Sequence, residues 1–128
     1  MFEILQTSSG NLLHIRATGR LAHADRELLI PRLEAWIAEH QSTSCYMELA
    51  AFDGIEIGAF SNEVPLDIHR GKEIQRCAIV GNHAWNHCMT RVARSLFPEA
   101  EVRYFDAIRA QKALDWIHEA SENPLVPA

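Results

Sequence analysis

A single α/β domain built on a mixed sheet, with about five strands and four helices in the order β-β-α-β-α-β-α-β-α, is what the sequence predicts. Three observations carry that reading. Residues 77–80, Cys-Ala-Ile-Val, form a short continuous apolar run of the kind that makes a strand buried on both faces. Gly81 ends the run and Asn82 or His83 can open a helix, giving the strand, glycine turn and helix of an open α/β sheet. Helical stripes alternate with short apolar runs through most of the chain, with no internal repeat and no linker. Ligands of such sheets gather beyond the carboxyl ends of the strands, so the rim at 81–83 is the first place to seek a site.

In chain order, residues 2–7 predict an edge strand, and Ser8-Ser9-Gly10-Asn11 is dense in turn formers. In residues 12–18, Leu13, Ile15 and Ala17 alternate with His14, Arg16 and Thr18, the period of a strand with one wet face. The two runs are near enough to pair as an antiparallel hairpin, which Gly19 and Arg20 leave. A helix opens at His23-Ala24-Asp25 and carries Leu29, Leu33, Trp36 and Ile37 inward. Pro31 predicts a kink in it, or a short first turn and a second start. Residues 45–49 read as an internal strand, closed by 50–54. An irregular helix follows, with Ile57, Phe60, Val64 and Ile68 on one face, widened by Ile55 and Leu66 and broken by Pro65. Trp85, Met89, Val92 and Leu96 line the third helix, which Phe97-Pro98 ends. Residues 101–105 give the last strand. Asp106 can cap the final helix, whose Ile108, Ala110, Leu114 and Ile117 point mostly inward. The domain is expected over 1–121, with a short tail at 122–128.

A chain of 128 residues, 48% apolar and 23% charged, fits one ordered domain. A net charge of -5 argues against general nucleic-acid binding. Cys45, Cys77 and Cys88 have no paired spacing and suggest reduced thiols in a cytoplasmic protein. The first ten residues do not read as a signal peptide, and no apolar run approaches the ~20 residues that cross a bilayer.

Chemistry-bearing patterns are sparse. His83 and His87 share a helix face at a spacing of four, but a zinc site needs at least a third protein ligand, and Cys88 points elsewhere. No serine sits at a strand-to-helix elbow, and Gly54, Gly58 and Gly81 lack the lysine ending of a phosphate loop. Neither metal nor cofactor is expected. Asp53, Glu56 and Asp106 fall near the carboxyl ends of strands and, with His83, are the one set that could converge for acid–base chemistry. Capping and solvent exposure account for them more simply.

The runs Phe2-Glu3-Ile4-Leu5, Ser9-Gly10-Asn11, 33–40 (LEAWIAEH) and 78–82 (AIVGN) with Trp85 resemble the SpoIIAA-like family. So do 100–106 (AEVRYFD) and 113–117 (ALDWI). The resemblance runs from about residue 2 to 119 and implies a branch of the STAS fold, with further similarity to the SEC14 lipid-carrier domain. STAS relatives are protein-binding switches phosphorylated on a serine after the middle strand. The corresponding stretch here, 52–59 (FDGIEIGA), has no serine or threonine, so the phosphoswitch does not carry over.

Two functions follow as expectations. One is a non-enzymatic cytoplasmic regulatory or protein-interaction module whose surface includes Phe52, Asp53, Glu56, Ile57, Phe60, Val64 and Ile68, together with Asn82 and His83. The other is a carrier or sensor of an apolar small molecule or lipid beneath 55–68. A homodimer through the same apolar segment is a third use of it.

Overall fold

The computed structural model describes residues 1–5, 12–41, 43–56 and 71–122, with residues 120–122 described by backbone alone. Five strands form one mixed sheet in the spatial order β1-β2-β3-β4-β5. They are β1 Phe2–Ile4, β2 Leu12–Leu21, β3 Ser44–Ile55, β4 Arg76–Gly81 and β5 Glu101–Asp106. β1 pairs antiparallel with β2, as the hairpin reading expects, and every other neighbour is parallel. Three α-helices are described: α1 His23–His40, α2 Asn86–Leu96 and α3 Ala110–Glu122. The fourth expected helix falls almost wholly on 57–70, outside the described residues, and Ile55 belongs to β3 instead.

The two faces of the sheet are covered unequally. Leu13, Ile15 and Ala17 of β2, with Cys45 and Met47 of β3 and Cys77 and Ile79 of β4, pack against Leu29, Leu33 and Ile37 of α1 and Met89, Val92 and Leu96 of α2. The opposite face holds Tyr46, Ala78 and Val80 under Ala113, Trp116 and Ile117 of α3. β4 is thus buried from Cys77 to Gly81, as its unbroken apolar run predicts. Cys45 and Cys77 lie side by side in register, and burial first, with Cys77 second, raises the Cys45 thiol well above its ordinary value. Such a thiol is a packing group rather than a nucleophile.

Helix α3 is fixed to the sheet by Trp116. The guanidinium carbons of Arg76 and Arg103 lie 4.9 and 4.8 Å from its ring centroid, and Arg76 donates to the Trp116 carbonyl at 2.9 Å. Two expectations for this region are corrected. Asp106 occupies the cap position of the turn Ala107–Arg109 but makes no side-chain cap bond, because the chain enters α3 through that 3-10 turn. Ile108 lies in the same turn and is 93% exposed, not inward, while Ala113, Trp116 and Ile117 form the buried stripe.

Pro31 does not divide α1, which runs unbroken for 18 residues. The proline is exposed, so the carbonyl that loses its helical partner can face water. The Asp25 carboxylate accepts the Ala22 N–H at 2.8 Å at the start of α1, and Gln41 ends it in the left-handed region at φ 51°.

Gly81 is a close-approach position. A Cβ placed there would stand 2.7 to 2.9 Å from Cδ1, Cγ and Cβ of Leu49 on β3. The clash reaches the root of the leucine side chain, so a rotamer change cannot relieve it. Gly81→Ala is expected to cost about 1–3 kcal/mol, read as a lower urea midpoint at unchanged m-value.

On the α3 face, β2 and β3 carry His14, Arg16, Tyr46 and Glu48. The Arg16 Nε donates to Glu48 at 2.9 Å, His14 Nε2 lies 3.5 Å from the same carboxylate, and the Tyr46 ring meets His14 edge-on at 5.0 Å. Burial holds the His14 imidazole below its usual 6.5, outweighing the attraction of Glu48. Above that value His14 is neutral folded or unfolded and adds no slope. As the pH falls through it the unfolded chain takes the proton first, and stability declines. His14→Gln is expected to flatten the acid-side decline of the urea midpoint between about pH 7 and about pH 5; an unchanged slope contradicts this.

Candidate functional site

The rim is built from the carboxyl ends of β3, β4 and β5. Its shape begins with an irregularity in how β3 pairs with β2. Thr18 faces Ala50, but Gly19 faces Phe52, Arg20 faces Gly54 and Leu21 faces Ile55. β3 therefore carries Ala51 and Asp53 as extra residues. Apart from Gln41, the described residues with positive φ sit at these bulges: 49° at Ala51, 63° at Gly19 and 118° at Gly54. Both strands outrun their expected ends, because bulges keep the pairing going past Gly19 and past Leu49. Phe52 and Ile55 return to the core face, and Asp53 and Glu56 are left exposed.

At the end of β4, Asn82 turns the chain. Its Oδ1 accepts the Ala84 N–H at 2.8 Å and caps the 3-10 turn His83–Trp85, which leads into α2. Trp85 meets Phe52 edge-to-face at 5.1 Å, and its ring lies 3.6 Å from where a Gly54 Cβ would be. The ends of β3 and β4 are thereby plugged from below by Leu49, Phe52 and Trp85. Asn82, His83 and Ala84 stand exposed above this plug.

Of the four residues that could have converged for acid–base chemistry, only His83 and Asp106 lie together, while Glu56 pairs elsewhere and Asp53 stands apart. Glu56 accepts or shares a proton with His23 Nδ1 at 2.7 Å, at the start of α1. His83 Nδ1 lies 4.0 Å from the Asp106 carboxylate on the neighbouring strand end. Asp53 is exposed on its bulge. The paired side chains are each about half exposed or more, a setting in which ion pairs contribute little. Among the described residues no three His, Cys, Asp or Glu groups are placed to hold a metal ion. Ile57, Phe60, Val64 and Ile68, and with them the ligand expected beneath that segment, lie outside the described residues.

Two rim residues escaped the sequence reading. His23 is met in sequence only as a helix start, and nothing local reveals that Glu56, 33 positions on, closes over it. Tyr104 donates its hydroxyl to the Asn82 carbonyl and so ties β5 to the β4 turn. Burial first and the Asp106 carboxylate second push that hydroxyl up to about 12, so it stays a donor at neutral pH. In sequence Tyr104 and Val102, two apart, read as one face of the last strand, which does not reveal the hydroxyl's partner.

Comparison with known proteins now places the architecture. The family model described as SpoIIAA-like matches residues 12–118. An uncharacterised protein from Shewanella loihica PV-4, described as DUF3478 with a SpoIIAA-like fold, shares 29% identity over 91% of this chain and 92% of its own, at a TM-score of 0.62. The unphosphorylated anti-sigma factor antagonist SpoIIAA superposes at a TM-score of 0.60 over 92% of this chain and 98% of its own, at 15% identity. The phosphorylated form of SpoIIAA, described as a Bacillus cell fate determinant, gives 0.50 over 91% and 99%, at 17% identity. At those last two identities the likeness is one of fold. No curated protein sequence matches. The family model spans most of the chain, so this chain belongs to the SpoIIAA-like family.

Proposed function

We propose that this protein is a non-enzymatic regulatory or interaction module, and that its rim receives a protein partner. One observation carries the reading: among the described residues, the ends of β3 and β4 present an exposed surface closed by packed side chains. Leu49 fills the space over Gly81, and Trp85 and Phe52 close the space beside Gly54. A small-molecule site needs an apolar concavity with a few convergent polar groups. Here the polar groups cap turns or pair across strand ends and face outward, as in the polar parts of a protein–protein contact. One of the solved relatives is described as an anti-sigma factor antagonist, which supports the same class of role.

The partner surface would be Phe52, Asp53 and Glu56 at the end of β3 with Asn82 and His83 at the end of β4. It lacks a phosphorylatable hydroxyl on residues 52–59, so occupancy would be set by partner concentration rather than by modification of that stretch. The fixed carboxylates of Asp53 and Glu56 give the β3 end a permanent negative contribution.

A photo-crosslinking amino acid placed at His83 is expected to trap one discrete protein in cells that make this chain, while the same group at Lys112 on α3 traps none. Asp53→Arg is expected to reduce the His83 adduct about tenfold or more, the equivalent of about 1.4 kcal/mol. Equal labelling from both positions, or none from His83, would overturn the proposal.

A further inference from the structure

Three large apolar side chains are strongly exposed among the described residues: Met1 at 59%, Leu28 at 67% and Ile108 at 93%. Two of the three flank one feature. A pocket of about 80 Å³ lies between β1 and α1, floored by Phe2, Ile4 and Leu29 and rimmed by Leu28, Asp25 and Arg32, with Met1 beside it. That volume holds on the order of five water-sized groups, which matches a branched aliphatic side chain and little more. The third exposed residue, Ile108, is such a side chain, carried on the tight turn Ala107–Arg109 with no neighbour burying it.

Knob and pocket cannot meet within one molecule. The pocket lies against β1 and the knob follows β5, and these strands are the opposite edges of the sheet. Between two molecules they can. The charges at the two places can also pair: at the pocket rim Asp25 is matched by the N-terminal amine at 3.6 Å, which leaves the exposed Arg32 with no ion pair to a described residue, and Asp106 stands half exposed two residues before the knob.

We infer that Ile108 of one molecule seats in the β1–α1 pocket of a second copy of this chain, with Asp106 facing Arg32 across the contact. Knob and pocket are different surfaces on opposite edges, so the contact is heterologous. Each molecule keeps a free knob at one end and a free pocket at the other, and association continues into open chains or closes as a ring. The contact is small, so it forms at high protein concentration only. It does not rest on the partner reading of the β3 and β4 ends.

Sedimentation equilibrium from about 10 µM to about 1 mM tests it. The wild-type weight-average mass is expected to climb past that of a dimer as concentration rises. Leu28→Glu, which blocks the pocket, and Ile108→Glu, which removes the knob, are each expected to remain monomeric. Both positions are exposed, and circular dichroism with a urea melt confirms that the variants keep the fold. Mixing the two variants supplies one intact pocket and one intact knob, so the mixture is expected to form a one-to-one dimer and nothing larger. A wild-type mass that stays monomeric or stops at a dimer overturns the inference. So does association that survives either substitution, or a mixture that stays monomeric.

Discussion

Burial of β4 on both faces is the constraint on which the rest of the molecule depends. A strand sandwiched between helical layers can expose no polar side chain, and its backbone groups must all be paired by neighbouring strands. Cys77, Ala78, Ile79, Val80 and Gly81 meet the first demand, and parallel pairing to β3 and β5 meets the second. Parallel pairing in turn requires a crossover between successive strands, and α2 supplies the one from β4 to β5. The size of each side chain along the strand then sets how closely the neighbours approach. At Gly81 the tolerance vanishes, because Leu49 occupies the place where a side chain would be.

The sheet's two faces carry different kinds of cohesion. Under α1 and α2 the contact is apolar and continuous from β2 to β4, with Trp85 and Phe52 at its upper margin. Under α3 the apolar cluster is smaller and polar groups frame it: two arginines on the Trp116 ring at one side, and the His14, Arg16 and Glu48 group at the other. A cation over an indole face contributes about 0.5–2 kcal/mol according to how far it is desolvated. Arg76, mostly buried, sits nearer the upper end of that range than the half-exposed Arg103. Its bond to the Trp116 carbonyl also fixes α3 along its own axis, which a greasy contact alone would leave free to slide.

Strands with a single period were legible from residues alone. Leu13, Ile15 and Ala17 alternate, 77–80 are uniformly apolar, and both stretches lie where they were expected. The stripe of α2 was equally plain, because Met89, Val92 and Leu96 recur at helical spacing. β3 beyond Leu49 was not. Its core-facing residues are Leu49, Phe52 and Ile55, spaced by threes, which is neither the period of a strand nor that of a long helix. Ile108 was misplaced for a related reason: a 3-10 turn precedes α3 and shifts the phase of its inward stripe to Ala113, Trp116 and Ile117. Of the rim residues, Asn82 and His83 could be placed from the glycine turn before them. The partners of Glu56 and Asn82 come from His23 and Tyr104, distant in sequence, and no local pattern encodes them.

The paired bulges in β3 bear on how this strand end can change in length. A residue inserted without a bulge reverses which side of a strand faces inward, whereas a bulge takes up the extra residue and keeps the facing. Each bulge here acts on its own: Phe52 is back on the core side after Ala51 alone, and Ile55 lies opposite Leu21 on that side after Asp53. Losing Ala51 alone would leave Phe52 opposite Gly19, and losing Asp53 alone would leave Gly54 opposite Arg20, so either loss removes one bulge and shortens the rim without turning Phe52 or Ile55 outward. Related chains can therefore vary in length here by one residue as readily as by two, and Gly54 should accompany the form that keeps the second bulge, since its φ of 118° suits no side chain.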